Sequence, residues 1–131
     1  MKEIKDLFQT ADWKKEKHVP VIEAPDKMKR GEEVKVTVSV GKEIPHPNKT
    51  EHHIVWINMY FHPSKEKFPY HLGKFEFSSH GASTQGPDTS TVYTKPYATF
   101  IFKTEKNGTL LAVSYCNIHG LWTSAKDIEV A

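Results

Sequence analysis

The sequence predicts an all-β fold, an antiparallel β-sandwich of about seven strands with a short helical segment at its N-terminus. Three observations lead there. Several short runs alternate apolar and polar residues with period two. Most prolines and glycines fall between those runs rather than inside them. Only one stretch repeats its apolar residues at helical spacing.

That stretch comes first. Ile4, Leu7, Phe8 and Ala11 fall on one face of a 3.6-residue period and predict a short amphipathic helix. Val34, Val36, Val38 and Val40 then alternate with Lys35, Thr37 and Ser39, the pattern of a half-buried strand. The next strand is expected to open at His52-His53. Its faces are His53, Val55, Ile57, Met59, Phe61 and His52, Ile54, Trp56, Asn58, Tyr60. Phe75 and Phe77 alternate with Lys74 and Glu76. Residues 97–104 and 109–116 read as two strands joined at Lys106-Asn107-Gly108, where Asn-Gly suits a tight hairpin turn. Residues 127–130 form a last short strand. The punctuation lies at Pro25, Pro45, Pro47, Pro63, Pro69, Gly81, Gly86 and Pro87. No repeat or low-complexity tract divides the chain, so residues 1–131 are expected to form one domain.

Composition narrows the function. The formal charge is +2 with both signs scattered along the chain, so no basic stripe marks a nucleic-acid surface. Residues 1–15 carry Glu3, Asp6 and Asp12 and no continuous apolar run, which fits neither a signal peptide nor a membrane span. A cytoplasmic protein is expected. The single cysteine, Cys116, agrees, because one thiol cannot close an internal disulfide. The anomaly is the histidine content, eight in 131 residues.

Three segments concentrate that chemistry: Glu16-Lys17-His18-Val19-Pro20, Ile44-Pro45-His46-Pro47 running on to Glu51-His52-His53, and Ser114-Tyr115-Cys116-Asn117-Ile118-His119-Gly120-Leu121-Trp122. Cys116 and His119, three apart across a strand end and turn, can point at one ion. A thiolate with an imidazole suits iron, copper or zinc rather than calcium or magnesium. A buried thiol beside a turn histidine would give the same Cys-x-x-His spacing. Pro45 and Pro47 each fix φ and restrict the preceding residue, so His46 sits on a stiff non-helical backbone able to aim a ligand. His52 and His53 must point to opposite faces, so one of them at most joins a common site. Periodicity leaves the choice open. His53 continues the Val55, Ile57, Met59, Phe61 face, which favours His52.

Taken together and in this order, the three segments resemble the single-iron superoxide reductases of the neelaredoxin type, the family of the desulfoferrodoxin catalytic domain. The resemblance runs from about Trp13 to Trp122. It implies an immunoglobulin-like sandwich and a mononuclear non-haem iron with four equatorial histidines, His18, His46, His52 and His119, and axial Cys116. It implies an open sixth position for superoxide, with Glu16 able to occupy it in the ferric protein and Lys17 over the open face. By itself Lys17 reads as one more solvated lysine of the run Lys14-Lys15-Glu16-Lys17. The implied activity is reduction of superoxide to hydrogen peroxide with an external electron donor, a rubredoxin-like protein, in a homo-oligomer that the family suggests is a tetramer. The four-cysteine rubredoxin-like domain of some relatives has no counterpart here, since Cys116 is the one cysteine.

Physical reasoning is consistent with those roles. Five protein donors with one vacancy suit iron, whereas structural zinc closes at four. A thiolate opposite the substrate donates electron density to the metal. A lysine beside the site attracts a small anion. His62 before Pro63, His71 near Gly73 and His80 before Gly81 read as loop residues rather than ligands. A blue-copper carrier would share the sandwich and the Cys-x-x-His pair, but it adds an axial methionine after the last histidine. Here the methionines are Met1, Met28 and Met59, all upstream of His119. A partner-binding sandwich without catalysis would leave the three segments unexplained. Superoxide dismutation at the same iron is the remaining rival. No G-x-G-x-x-G dinucleotide fingerprint is present.

Overall fold

The computed structural model describes residues 1–131. Eight strands follow a single-turn 3-10 helix at Ile4–Asp6: β1 (Pro20–Glu23), β2 (Lys27–Met28), β3 (Val34–Val40), β4 (Ile54–Pro63), β5 (Tyr70–Glu76), β6 (Tyr97–Phe102), β7 (Gly108–Cys116) and β8 (Gly120–Val130). They form two sheets in the orders β1-β3-β6 and β2-β8-β7-β4-β5, antiparallel throughout except where β2 runs parallel to β8. The sandwich expected from the sequence is therefore present. No helix is long and apolar enough to cross a membrane.

The alternation in β3 translates directly into packing. Val34, Val36, Val38 and Val40 are buried, and they meet Ile57, Met59, Leu110 and Ala112 from the facing sheet. β7, in the middle of the larger sheet, buries Gly108, Leu110, Ala112, Ser114 and Cys116 in strict alternation. Cys116 is the last of that row and is fully buried.

Several expectations need correction. The helix predicted for residues 4–11 shrinks to one turn, because Ile4, Leu7 and Phe8 remain exposed and no sheet surface receives their apolar face. β4 begins at Ile54, not at His52, and a bulge between Ile54 and Trp56 breaks its alternation. Ile54 and Ile57 are thus both buried, where uniform alternation would separate them. His62 and His71 lie within β4 and β5 rather than in loops. β1 and β2 have no clear periodic signal, and β8 is much longer than the expected residues 127–130.

The predicted hairpin at Asn107-Gly108 is absent. β6 pairs with β3, whereas β7 pairs with β4 and β8, so the connection crosses from one sheet to the other. Neither Asn107 nor Gly108 has a positive φ. Asn107 satisfies chain ends instead. Its carbonyl accepts the Ser64 N–H at 2.7 Å and its Oδ1 accepts the Val130 N–H at 2.6 Å. Gly108 is needed for close approach. A Cβ there would overlap the His62 carbonyl and come within 2.5 Å of the Phe61 ring.

That clash gives a stability prediction. Gly108→Ala should destabilise the fold by about 1–3 kcal/mol, the usual range for overpacking a filled site. Chemical denaturation measures it. A midpoint equal to that of the unaltered protein would mean that β4 yields freely at Phe61.

Candidate metal centre

The segments picked out in the sequence arrive at one end of the sandwich. There β1 and β4 start, β3 and β7 end, and β8 begins. His18 lies two residues before β1, and the Ser114 hydroxyl of β7 donates to its carbonyl at 3.2 Å. The β3–β4 connection carries His46 and His52. It can fold back at Gly41 because that residue has φ +86° and the main-chain nitrogen of His46 lies 2.5 Å from where a Cβ would stand. Cys116 ends β7 and His119 sits in the turn to β8.

One donor atom from each of His18, His52, Cys116 and His119 falls within 4.8 Å of the others. His119 turns Nδ1 inward, 3.1 Å from His18 Nε2, 3.2 Å from His52 Nε2 and 3.9 Å from Cys116 Sγ. His46 adjoins this group, with its ring centroid 4.8 Å from those of His18 and His52. Its Nε2 is buried and has no hydrogen-bond partner. An orphaned buried ring nitrogen is unfavourable unless something accepts its lone pair. A cation held by these donors meets that need, and a thiolate with imidazoles fits iron, copper or zinc.

Hydrogen bonds on the far side of the rings prepare the lone pairs. His18 Nδ1–H donates to Glu16 Oε1 at 2.6 Å, and His46 Nδ1–H donates to the Pro47 carbonyl at 2.6 Å. Each bond fixes the tautomer that leaves Nε2 bare. Electrostatics acts in the same direction. Burial lowers the pKa of His18 and His52 and pushes that of His46 down to about 4. The nearby charge of half-buried Lys17 adds to all three shifts. Neutral imidazoles near pH 7 are what a metal requires. The Glu16 carboxyl is lowered, chiefly by its bond to His18. In this structure Glu16 therefore lies against the back of a histidine rather than over the donor cluster.

His53, the neighbour of His52, turns away. Its Nδ1–H donates to the Lys49 carbonyl at 2.8 Å and its ring stacks on His80 at 3.6 Å. His80 is held by Asn48 Oδ1 and the Phe77 carbonyl. His62 donates to the Glu66 carbonyl at 2.7 Å, and His71 meets Asn58 Oδ1 at 2.8 Å. None of these four rings joins the donor cluster.

Two supporting residues escaped the sequence reading. Asn117 clamps the chain on both sides of His52: Oδ1 accepts the His53 N–H at 2.9 Å and Nδ2 donates to the Glu51 carbonyl at 3.0 Å. Trp122 stacks on the His18 ring at 5.1 Å and 15°, and its Nε1–H donates to the His119 carbonyl at 3.2 Å. Both stand inside the third segment, but spacing alone does not show what they touch.

A β-sandwich that gathers imidazoles and one thiol at a single end defines a scaffold for a histidine- and cysteine-bound metal. Residues 10–125 match the model of the Desulfoferrodoxin family, and the chain belongs to that family. It is 56% identical over 126 residues to a superoxide reductase of Pyrococcus furiosus, covering 96% of this chain and 99% of that one. It is 54% identical over 125 residues to the neelaredoxin of Megalodesulfovibrio gigas, covering 95% and 96%. The solved structure of the reduced superoxide reductase (neelaredoxin) of Archaeoglobus fulgidus superposes with a TM-score of 0.87 at 63% identity, over 94% of this chain and 98% of that one.

The opposite placement of the two adjacent histidines is testable. His52→Ala should weaken binding of a divalent first-row metal by about tenfold or more, while His53→Ala should leave the metal stoichiometry unchanged. Metal analysis after dialysis decides, and the reverse pattern would exchange their roles.

Proposed function

We propose that this chain is a superoxide reductase that reduces superoxide to hydrogen peroxide at one iron bound by His18, His46, His52, His119 and Cys116. The observation that carries the reading is the convergence of ring nitrogens and one thiol on a common point, with His46 Nε2 buried and partnerless beside them. Relatives that share most of the chain's length, that of Pyrococcus furiosus among them, bear the same activity in their names.

The overall change is one superoxide, one electron and two protons to one hydrogen peroxide. An iron ion held by these residues would supply that electron, going from ferrous to ferric. The protein does the rest. Four histidines fix the ion without adding charge, and the Cys116 thiolate adds one negative charge and electron density from a fully buried position. Exposed His119 and half-buried His52 leave the cluster open to solvent on one side, where a small anion can enter. Lys17 attracts that anion. Glu16 orients His18 through its Nδ1–H. The resemblance also implies that this carboxylate can bind the metal in the oxidised protein; in this structure its Oε1 is engaged by His18.

A blue-copper site is disfavoured by the surroundings. Met59 lies opposite Ala112, four residues along β7 from Cys116, Met28 lies opposite Val130 at the far end of β8, and Met1 is exposed, so none of the three is placed as an axial donor. The electron must come from outside, because Cys116 is the one cysteine in the chain and no second cysteine-bound iron centre can form. A rubredoxin-like protein in the cytoplasm is the donor this reading names, acting on a homo-oligomer of single-domain chains.

Lys17 supplies the first test. Lys17→Ala should slow the second-order reaction with superoxide about tenfold and flatten its dependence on ionic strength, with iron content unchanged. Pulse radiolysis at several salt concentrations measures both, and an unaltered rate would return Lys17 to the solvated surface.

Turnover supplies the second. Under a steady superoxide flux, the reduced protein alone should consume one superoxide per iron, release peroxide and stop. Sustained consumption should need an added donor protein and its reductase. Continued removal without a donor, with oxygen formed alongside peroxide, would mark a dismutase instead.

A further inference from the structure

We propose that Gln9, in the N-terminal arm, is a positioning residue of the metal centre that holds the ligand His119 in place. The proposal rests on the reading of His119 as a ligand.

His119 is the most exposed member of the cluster and lies in a turn. It also differs from the others in which nitrogen it offers. His18 and His52 present Nε2, at the far end of the ring, whereas His119 presents Nδ1. The same two torsions place both ring nitrogens, but Nδ1 lies closer to Cβ, so turning the ring moves it less. A small shift of the His119 backbone therefore moves the donor atom almost one for one, with little side-chain freedom to compensate. The backbone of this residue must be fixed more tightly than that of its partners.

Three bonds fix it. The His119 N–H points to Cys116 Sγ at 3.4 Å. Its carbonyl accepts from Trp122 Nε1 at 3.2 Å and from Gln9 Nε2 at 2.9 Å. The Gln9 bond is the shortest of the three and comes from 110 residues away. Gln9 is itself well seated. Its N–H donates to the Leu121 carbonyl at 3.0 Å, and its carbonyl accepts from the Thr123 N–H at 2.8 Å. These bonds lay the arm alongside β8 as an isolated parallel bridge opposite Trp122. The residues before it contribute nothing to the core, since Met1, Ile4, Leu7 and Phe8 are exposed. The arm is thus tied to β8 by two main-chain bonds, and its one side-chain amide on this face ends on the carbonyl of a ligand and, at 3.4 Å, on that of Leu121. Outer bonds made directly to a ligating side chain change metal affinity by about 10–100-fold when removed, and a bond to the ligand's main chain acts at the lower end of that range.

The test uses the full-length iron protein and four variants. Gln9→Glu keeps the size but replaces the donating amide with an acceptor that faces a carbonyl. Gln9→Lys restores a donor of similar reach. Phe8→Ala alters the arm next door, and His119→Ala removes the ligand. Iron release to a competing chelator at neutral pH should be about tenfold faster for Gln9→Glu and close to the parent rate for Gln9→Lys and Phe8→Ala. A thiolate-to-iron charge-transfer band, expected in the visible range for a Cys116-bound ferric ion, should shift in Gln9→Glu alone among these three. The unfolding midpoint of the metal-free protein should stay within error in all three, which a purely structural role would not allow. Parental iron release and an unshifted band in Gln9→Glu would overturn the proposal, even if His119→Ala loses its iron. Should His119→Ala retain full iron, the ligand reading itself fails and takes the proposal with it.

Discussion

Everything at this centre depends on bringing several electron lone pairs to one point while each ring stays neutral. Lone pairs repel, and an imidazole in water near neutral pH is partly protonated. The molecule meets both constraints away from the cluster itself. Glu16 and the Pro47 carbonyl take up the Nδ1 protons of His18 and His46, leaving Nε2 bare. Burial then disfavours a second proton on either ring. The convergence is unfavourable without a cation, and His46 Nε2 shows this most plainly, buried with nothing to bond.

The sandwich supplies the rigidity that convergence demands. Cys116 closes the inward row of β7, the central strand of the larger sheet, so the thiol is fixed by the core itself. The histidines stand on connections and need separate anchoring. Ser114 holds the backbone at His18, Asn117 grips the chain on either side of His52, and Gly41 lets the β3–β4 connection return to bring His46 inward. His119, on the most open turn, is tied to Cys116, Trp122 and Gln9. A buried, fixed thiolate beside more exposed histidines matches the chemistry. The sulfur is shielded from solvent, and the side facing water is the one that carries His52 and His119.

Much of this was legible in the sequence. The valine alternation of β3 and the row ending at Cys116 announced strands, because side-chain period in a strand is a local property of the backbone. The candidate ligands were legible for a related reason: a proline-bracketed histidine and a Cys-x-x-His pair at a strand end are local signatures. The preference for His52 over His53 also rested on local geometry, although the strand begins later than expected and a bulge interrupts the alternation used to argue it.

Tertiary structure alone decided the rest. Asn107-Gly108 carries a hairpin signature, yet β6 and β7 belong to different sheets, because β6 pairs along the edge of β3 and β7 along that of β4. Gly108 proved necessary for the approach of Phe61 rather than for a positive φ, a contact 47 residues away that no turn propensity encodes. The seating of Glu16 on His18, the stacking of His53 on His80 and the reach of Gln9 to His119 are of the same kind. Sequence specifies what each segment prefers by itself. Which donor meets which acceptor across 110 residues is fixed only when packing brings the segments to the same end of the sandwich.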